Sequence, residues 1–188
     1  MKNHEVFHHN PLDTKLVNDG VASNNSADEN TLRYELKTFV CEGQYEKALE
    51  RILTSFLQNT SEPEIPSAWI SGFYGSGKSH LVKILRYLWT DHQLSDGASA
   101  RSLCALTDSV SDLLKELTTL GNRGAGLLAV GGTLKSGSGS VRLRLLSLIF
   151  EAVGLPESYP KAKFCLALKS QGLWDDFNKH LTSAGKDL

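Results

Sequence analysis

The residues Gly72-Phe73-Tyr74-Gly75-Ser76-Gly77-Lys78-Ser79 satisfy the pattern GxxxxGK[ST] at every fixed position. Each type has a task in holding a chain of phosphates. Gly72, Gly75 and Gly77 free the backbone to take positive φ and to approach a ligand closely, so successive N–H groups can converge on one concavity. Lys78 supplies a flexible point charge that reaches β- and γ-phosphates, and Ser79 offers a hydroxyl to Mg²⁺. The expected ligands are therefore ATP and Mg²⁺, held by residues 72–79 with Ser79 at the metal. A lysine in the first turn of a helix opposes the helix dipole, so an ordinary surface role for Lys78 is disfavoured. Phe73, Tyr74 and Ser76 fill the variable loop positions. For the two rings, packing against the domain is favoured over stacking on a base. His80 follows directly and could contact phosphate, although a place on the helix surface is the simpler expectation. By chance such a match arises in on the order of 1% of chains of this length at average composition.

A loop of this kind has meaning only where a strand feeds it and a helix leaves it. Ala68-Trp69-Ile70-Ser71, bounded by Pro66 and Gly72, reads as a short buried strand. After the loop, Leu81, Val82, Ile84, Leu85, Leu88 and Trp89 mark a helical stripe, with Lys83 and Arg86 on the other side. Upstream, Leu32, Leu36, Phe39 and Val40 recur at helical spacing until Gly43. The run Tyr45, Ala48, Leu49, Ile52, Leu53, Phe56 and Leu57 then forms one stripe, expected to dock on the domain that follows.

Downstream, Asp96-Gly97 marks a turn, and Thr107 or Asp108 can cap a helix through Leu120, with Gly121 placed to stop it. Leu127-Leu128-Ala129-Val130 reads as a second buried strand, and residues 121–139 hold seven glycines. Ser136-Gly137-Ser138-Gly139-Ser140 reads as a flexible loop. Val141 to Val153 is apolar nearly all round, as in a buried helix, and residues 161–181 are mainly helical with a break at Gly172. Strands alternating with helices predict an α/β fold: a parallel sheet of the P-loop NTPase type, flanked by helices, with an N-terminal helical extension. The expected divisions are an irregular arm over 1–31, a helical segment over 32–61 and the N-terminal part of a P-loop domain over 62–188. Within the arm, Thr14-Lys15-Leu16-Val17 could form one extended segment.

The 188 residues have 40% hydrophobic and 22% charged content, which suits a folded globular chain. No stretch approaches the roughly 18 apolar residues of a membrane span, and the N-terminus has no signal-peptide core, so a cytoplasmic setting without a membrane is expected. Cys41, Cys104 and Cys165 are too far apart for close metal-binding pairs and read as buried free thiols. The net charge of −1 excludes a uniformly basic coat for nucleic acid, but residues 123–171 hold seven Lys or Arg against two acids. That segment, with Arg142 and Arg144, could meet phosphate or DNA, while a solvated helix face is the simpler reading.

Hydrolysis by this class also needs an acid at the end of an apolar strand to hold Mg²⁺, and a residue that positions water. Leu173-Trp174-Asp175-Asp176 is the sole candidate and sits in a helical pattern, so no catalytic residue is assigned. With only two core strands in view, the chain reads as the N-terminal part of a longer ATPase whose acidic strand lies downstream.

The stretch from Trp69 through Lys78 to Leu85 resembles the Walker A region of the large P-loop ATPases of BREX and Pgl phage-resistance systems, the BrxC/PglY-like family. The likeness extends to Leu32-Arg33-Tyr34-Glu35-Leu36, Phe39-Val40-Cys41-Glu42-Gly43, Asp96-Gly97-Ala98, Gly131-Gly132-Thr133-Leu134 and Gly154-Leu155-Pro156. It covers most of residues 10–180, and the phosphate loop is its one functional motif. The resemblance implies a cytoplasmic ATP-binding module of a phage-defence ATPase, with other subunits of a defence complex, DNA and further copies of itself as partners to test. Two other readings stay open. A small P-loop kinase would need a basic lid, for which residues 121–140 offer only Arg123 and Lys135; a non-catalytic module would bind nucleotide for stability alone.

Overall fold

The computed structural model describes residues 28–133 and 140–185. Eight helices make up its regular structure: α1 (Glu29–Thr38), α2 (Gln44–Gln58), α3 (Lys78–Thr90), α4 (Ala100–Leu103), α5 (Asp108–Arg123), α6 (Val141–Ala152), α7 (Tyr159–Ser170) and α8 (Trp174–Ser183). The helices fall where apolar residues recur at helical spacing. The expected arm over 1–31 with its Thr14–Val17 segment, and the Ser136–Gly139 part of the glycine loop, lie outside the described residues, apart from the last positions of the arm.

The expected parallel sheet is not found. Among the described residues no strand occurs, and β pairing is confined to one antiparallel bridge between Gln93 and Ser99. Both segments read as buried strands are irregular and join no ladder. Trp69 is 91% exposed and Leu128 54% exposed. A short apolar run specifies extended backbone, but a strand also requires a neighbour to take its N–H and C=O groups. No described segment fills that place beside residues 68–71 or 127–130.

The chain divides into two compact units, Met1–Ala129 and Val130–Leu188. In the first, α1 to α5 share one core built from Leu32, Leu36, Leu49, Leu53, Ile84, Leu88, Val110, Leu114 and Leu117, all buried. The α2 stripe docks chiefly on α5, as its amphipathic pattern requires. Local chemistry sets the helix ends. The Asp28 carboxylate accepts from the N–H groups of Asn30 and Thr31 to start α1, and Ser99 with Ser102 forms a capping box on α4. The Thr31 hydroxyl donates to the Asp28 carboxylate as well, and it leads the Thr31 and Asn30 N–H groups in holding that carboxyl below its usual range.

Arg101 ties three helices together. Its guanidinium donates to the carbonyls of Leu88 (2.7 Å), Trp89 (3.2 Å) and Leu114 (2.9 Å) and to Thr118 Oγ1 (2.7 Å). The last carbonyls of α3 are thereby satisfied by a cation at the favourable end of the helix dipole. Gly121 does not stop α5, which continues to Arg123. It is a packing glycine instead: a Cβ there would overlap the Leu127 side chain.

In the second unit α6, α7 and α8 follow one another, joined through Gly154 (φ 71°) and Gly172 (φ 71°), whose left-handed conformation ends a helix at little cost. Leu155, Ala162 and Cys165 form its small core, with Phe150 and Trp174 against it. Helix α6 is not the buried helix its composition suggests. Val141, Leu143, Leu145 and Ile149 all stand 44% or more exposed, because α7 covers one side of it only.

Candidate functional site

Residues 72–77 form a glycine turn that delivers the chain into α3. Gly75 (φ 78°) and Gly77 (φ 75°) both take the left-handed backbone conformation that side chains resist. Gly77 is the N-cap of α3 and provides no side-chain cap, so the amides of the first turn project from the helix end without an intramolecular side-chain acceptor. The first turn contains no acid. Its dipole and first-turn amides therefore face the loop with partial positive charge.

Two internal contacts hold the loop's shape. Ser76 N–H donates to the Phe73 carbonyl at 3.2 Å, closing a turn across the loop tip. The Tyr45 hydroxyl, from α2, donates to the Ser76 carbonyl at 2.9 Å. Gly77 is required twice over, since a Cβ there would collide with the Tyr45 hydroxyl as well as strain the backbone. At Gly72 a Cβ would come 2.9 Å from Ser76 Oγ.

Lys78 folds back over this turn. Its Nζ donates to the Phe73 carbonyl at 2.6 Å and lies 3.4 Å from Ser76 Oγ. The ammonium is thus held on the loop, where an arriving phosphate could replace a neutral carbonyl by a charged acceptor and form the stronger bond. Ser79 is exposed on the first turn of α3, one residue beyond Lys78.

The structure brings together Gly72, Gly75, Ser76, Gly77, Lys78 and Ser79 as one turn and helix end. Phe73 and Tyr74 do not pack on the domain as expected; at 92% and 96% exposure their rings stand in solvent at the loop tip. His80 is not a surface residue. It is half-buried, 5.8 Å from the Phe39 ring, and burial pushes its imidazole below the usual range against the opposing pull of Glu35.

Two residues that matter here escaped the sequence reading. Tyr45 was counted as one apolar position of a stripe, and nothing in local spacing links it to a loop 31 residues away. Lys83 falls on the other side of α3 from its apolar stripe, yet it is buried and its Nζ lies 2.6 Å from the buried Glu35 Oε2 of α1. The pair anchors the helix that carries Lys78 and Ser79. A signal for it did exist: Glu35 falls inside the stripe of Leu32, Leu36 and Phe39, and a buried acid calls for a cation.

Among the described residues no group of three or more His, Cys, Asp or Glu is placed to hold a metal ion. Asp175 and Asp176 lie in the first turn of α8, a helix and not the end of a strand. Arg142 is exposed, and Arg144 binds Ser147 Oγ at 3.2 Å and approaches Glu157 at 3.8 Å within its own unit. All three cysteines are free and buried. No helix among the described residues is long and apolar enough to cross a membrane. No protein-family model matches the chain, and no solved structure matches it significantly.

Proposed function

We propose that the chain binds Mg-ATP at residues 72–79. The observation that carries this reading is the junction of the loop with α3: two left-handed glycines present an uncapped, acid-free helix end beside a lysine already folded over the turn. The residues fit the ligand. The amides of the loop and of the first turn of α3 hold the phosphate oxygens, Lys78 neutralises the terminal phosphates, and Ser79 supplies a hydroxyl ligand to Mg²⁺. Mg²⁺ bound there would screen the negative charge of the β- and γ-phosphates. Tyr45 positions the loop through the Ser76 carbonyl, and the buried Glu35–Lys83 pair positions α3.

The role assigned is nucleotide binding. Within the resemblance stated above, that binding belongs to a cytoplasmic ATPase of a phage-defence complex, where nucleotide state would govern engagement of partner subunits or DNA. The support for that wider setting is the likeness of residues 69–85 and the shorter stretches around them. Equilibrium titration with Mg-ATP tests the binding itself. The wild-type chain is expected to bind, and Lys78→Ala to bind at least about tenfold more weakly, a change of about 1.4 kcal/mol that one lost charge-assisted contact supplies. Equal affinities in the two proteins would place the nucleotide elsewhere.

A further inference from the structure

We propose that the groove between α2 and residues 66–71 is a docking surface for an acidic polypeptide segment, which adds to residues 67–71 as a β-strand. The proposal is independent of nucleotide binding and rests on four features of this face.

The first is backbone. No hydrogen bond joins the N–H or C=O groups of residues 67–71 to any other described residue. A run of open backbone donors and acceptors is a template for one more strand. The second is side-chain exposure. Ile70 packs against the core and also lines the groove, whereas Trp69, beside it in the same lining, is 91% exposed. A large aromatic ring held so far in solvent is the kind of residue that anchors an interface.

The third feature is the groove, of about 840 Å³, with an apolar floor of Phe56 and Trp89 in edge-to-face contact at 4.6 Å. The fourth is charge. Lys47 and Arg51 line the groove, and among the described residues no Asp or Glu does. Glu46 and Glu50 fall on the opposite flank of α2 by helical spacing, and Glu62 and Glu64 lie outside the lining. An occupant with carboxylates is therefore favoured, and a second copy would set like charges against each other. The spacing suits a strand too. Lys47 and Arg51 are separated by a rise of about 6 Å along α2. Same-face side chains of a strand recur every ~6.7 Å.

The test uses the full chain and a fluorescent peptide of alternating valine and glutamate, followed by fluorescence anisotropy at low salt. Binding is expected, and should weaken about tenfold or more in Trp69→Ser and in the double variant Lys47→Glu/Arg51→Glu. All three side chains are exposed, so unchanged circular dichroism serves as the folding control. N-methylation of alternate peptide amides should abolish binding, because it removes the ladder donors and keeps the side chains. No binding of the valine–glutamate peptide, or equal binding of the N-methylated or a valine–lysine peptide, overturns the proposal. So does tighter binding of oligothymidylate through the same residues, or self-association of the chain that Trp69→Ser abolishes.

Discussion

Lys83→Met should be among the most damaging changes in the molecule that touch neither the glycine loop nor the apolar core. Lys83 and Glu35 are 2% and 1% exposed and 2.6 Å apart, so both charges have left water. Removing the ammonium leaves a carboxylate in low dielectric, and breaking a buried pair in this way costs about 3–5 kcal/mol. Total stability for a domain is about 5–15 kcal/mol, so one substitution would remove roughly a fifth or more of it. With a urea slope near 2 kcal/mol per molar, the unfolding midpoint should fall by about 2 M. Tryptophan fluorescence would report it, because Trp89 packs edge-on against Phe56 in the same unit. Glu35→Leu should cost a comparable amount by stranding the lysine. The double variant Glu35→Leu/Lys83→Met should return close to wild type or exceed it, since apolar groups of similar volume fill the site without desolvating charge. Single variants costing less than about 1 kcal/mol each, as at an exposed pair, with additive effects in the double variant, would refute the argument.

Gly77→Ala should cost at least about 1–2 kcal/mol, because its φ of 75° is left-handed and the new methyl meets the Tyr45 hydroxyl; urea unfolding measures it, and Gly97→Ala, left-handed with open space around it, is the control for strain alone. Burial holds His80 below its usual 6.5, with Glu35 and Lys83 as the charged groups facing it. A base depressed in the folded state leaves stability intact above pH 6.5 and loses it as pH falls, since the unfolded chain takes up the proton first. His80→Gln should therefore flatten the stability profile below pH 6.5, and an unchanged profile would remove His80 from the titration. Burial pushes the Cys104 thiol up to about 12, so at pH 9 it carries several hundredfold less thiolate than a thiol at its ordinary pKa. Thiol-reactive reagent should modify it only after unfolding, and rapid labelling of Cys104 in the native chain would contradict its burial.

The longer helices α1, α2, α3 and α5 were legible because each has an apolar stripe of several turns, which leaves little choice of period, whereas the four-residue α4 has no such stripe and was not expected. The glycine turn before α3 was legible because its residue types follow backbone geometry: Gly75 and Gly77 take the left-handed conformation that glycine alone adopts freely. The sheet was not, because Ala68-Trp69-Ile70-Ser71 states only that the chain is apolar and extended. Pairing depends on what lies alongside, which no local spacing encodes. The same limit explains α6, where Val141, Leu145 and Ile149 read as buried yet, among the described residues of their unit, have two further helices to cover them. Tyr45 and the Glu35–Lys83 pair are tertiary facts, made by α2 and α1 meeting the loop and helix of a later segment.

The central claim is that residues 72–79 hold Mg-ATP, and a thermal-shift comparison of wild type with Lys78→Ala addresses it most directly. Ligand at about 100 times its dissociation constant stabilises a fold by roughly 2.7 kcal/mol. For a chain of this length that raises the midpoint by about 5–10 °C. The account predicts this gain for wild type with Mg-ATP, a much smaller gain for Lys78→Ala at the same concentration, and similar midpoints for both without nucleotide. Equal shifts in the two proteins, or no shift in wild type at millimolar Mg-ATP, would contradict it.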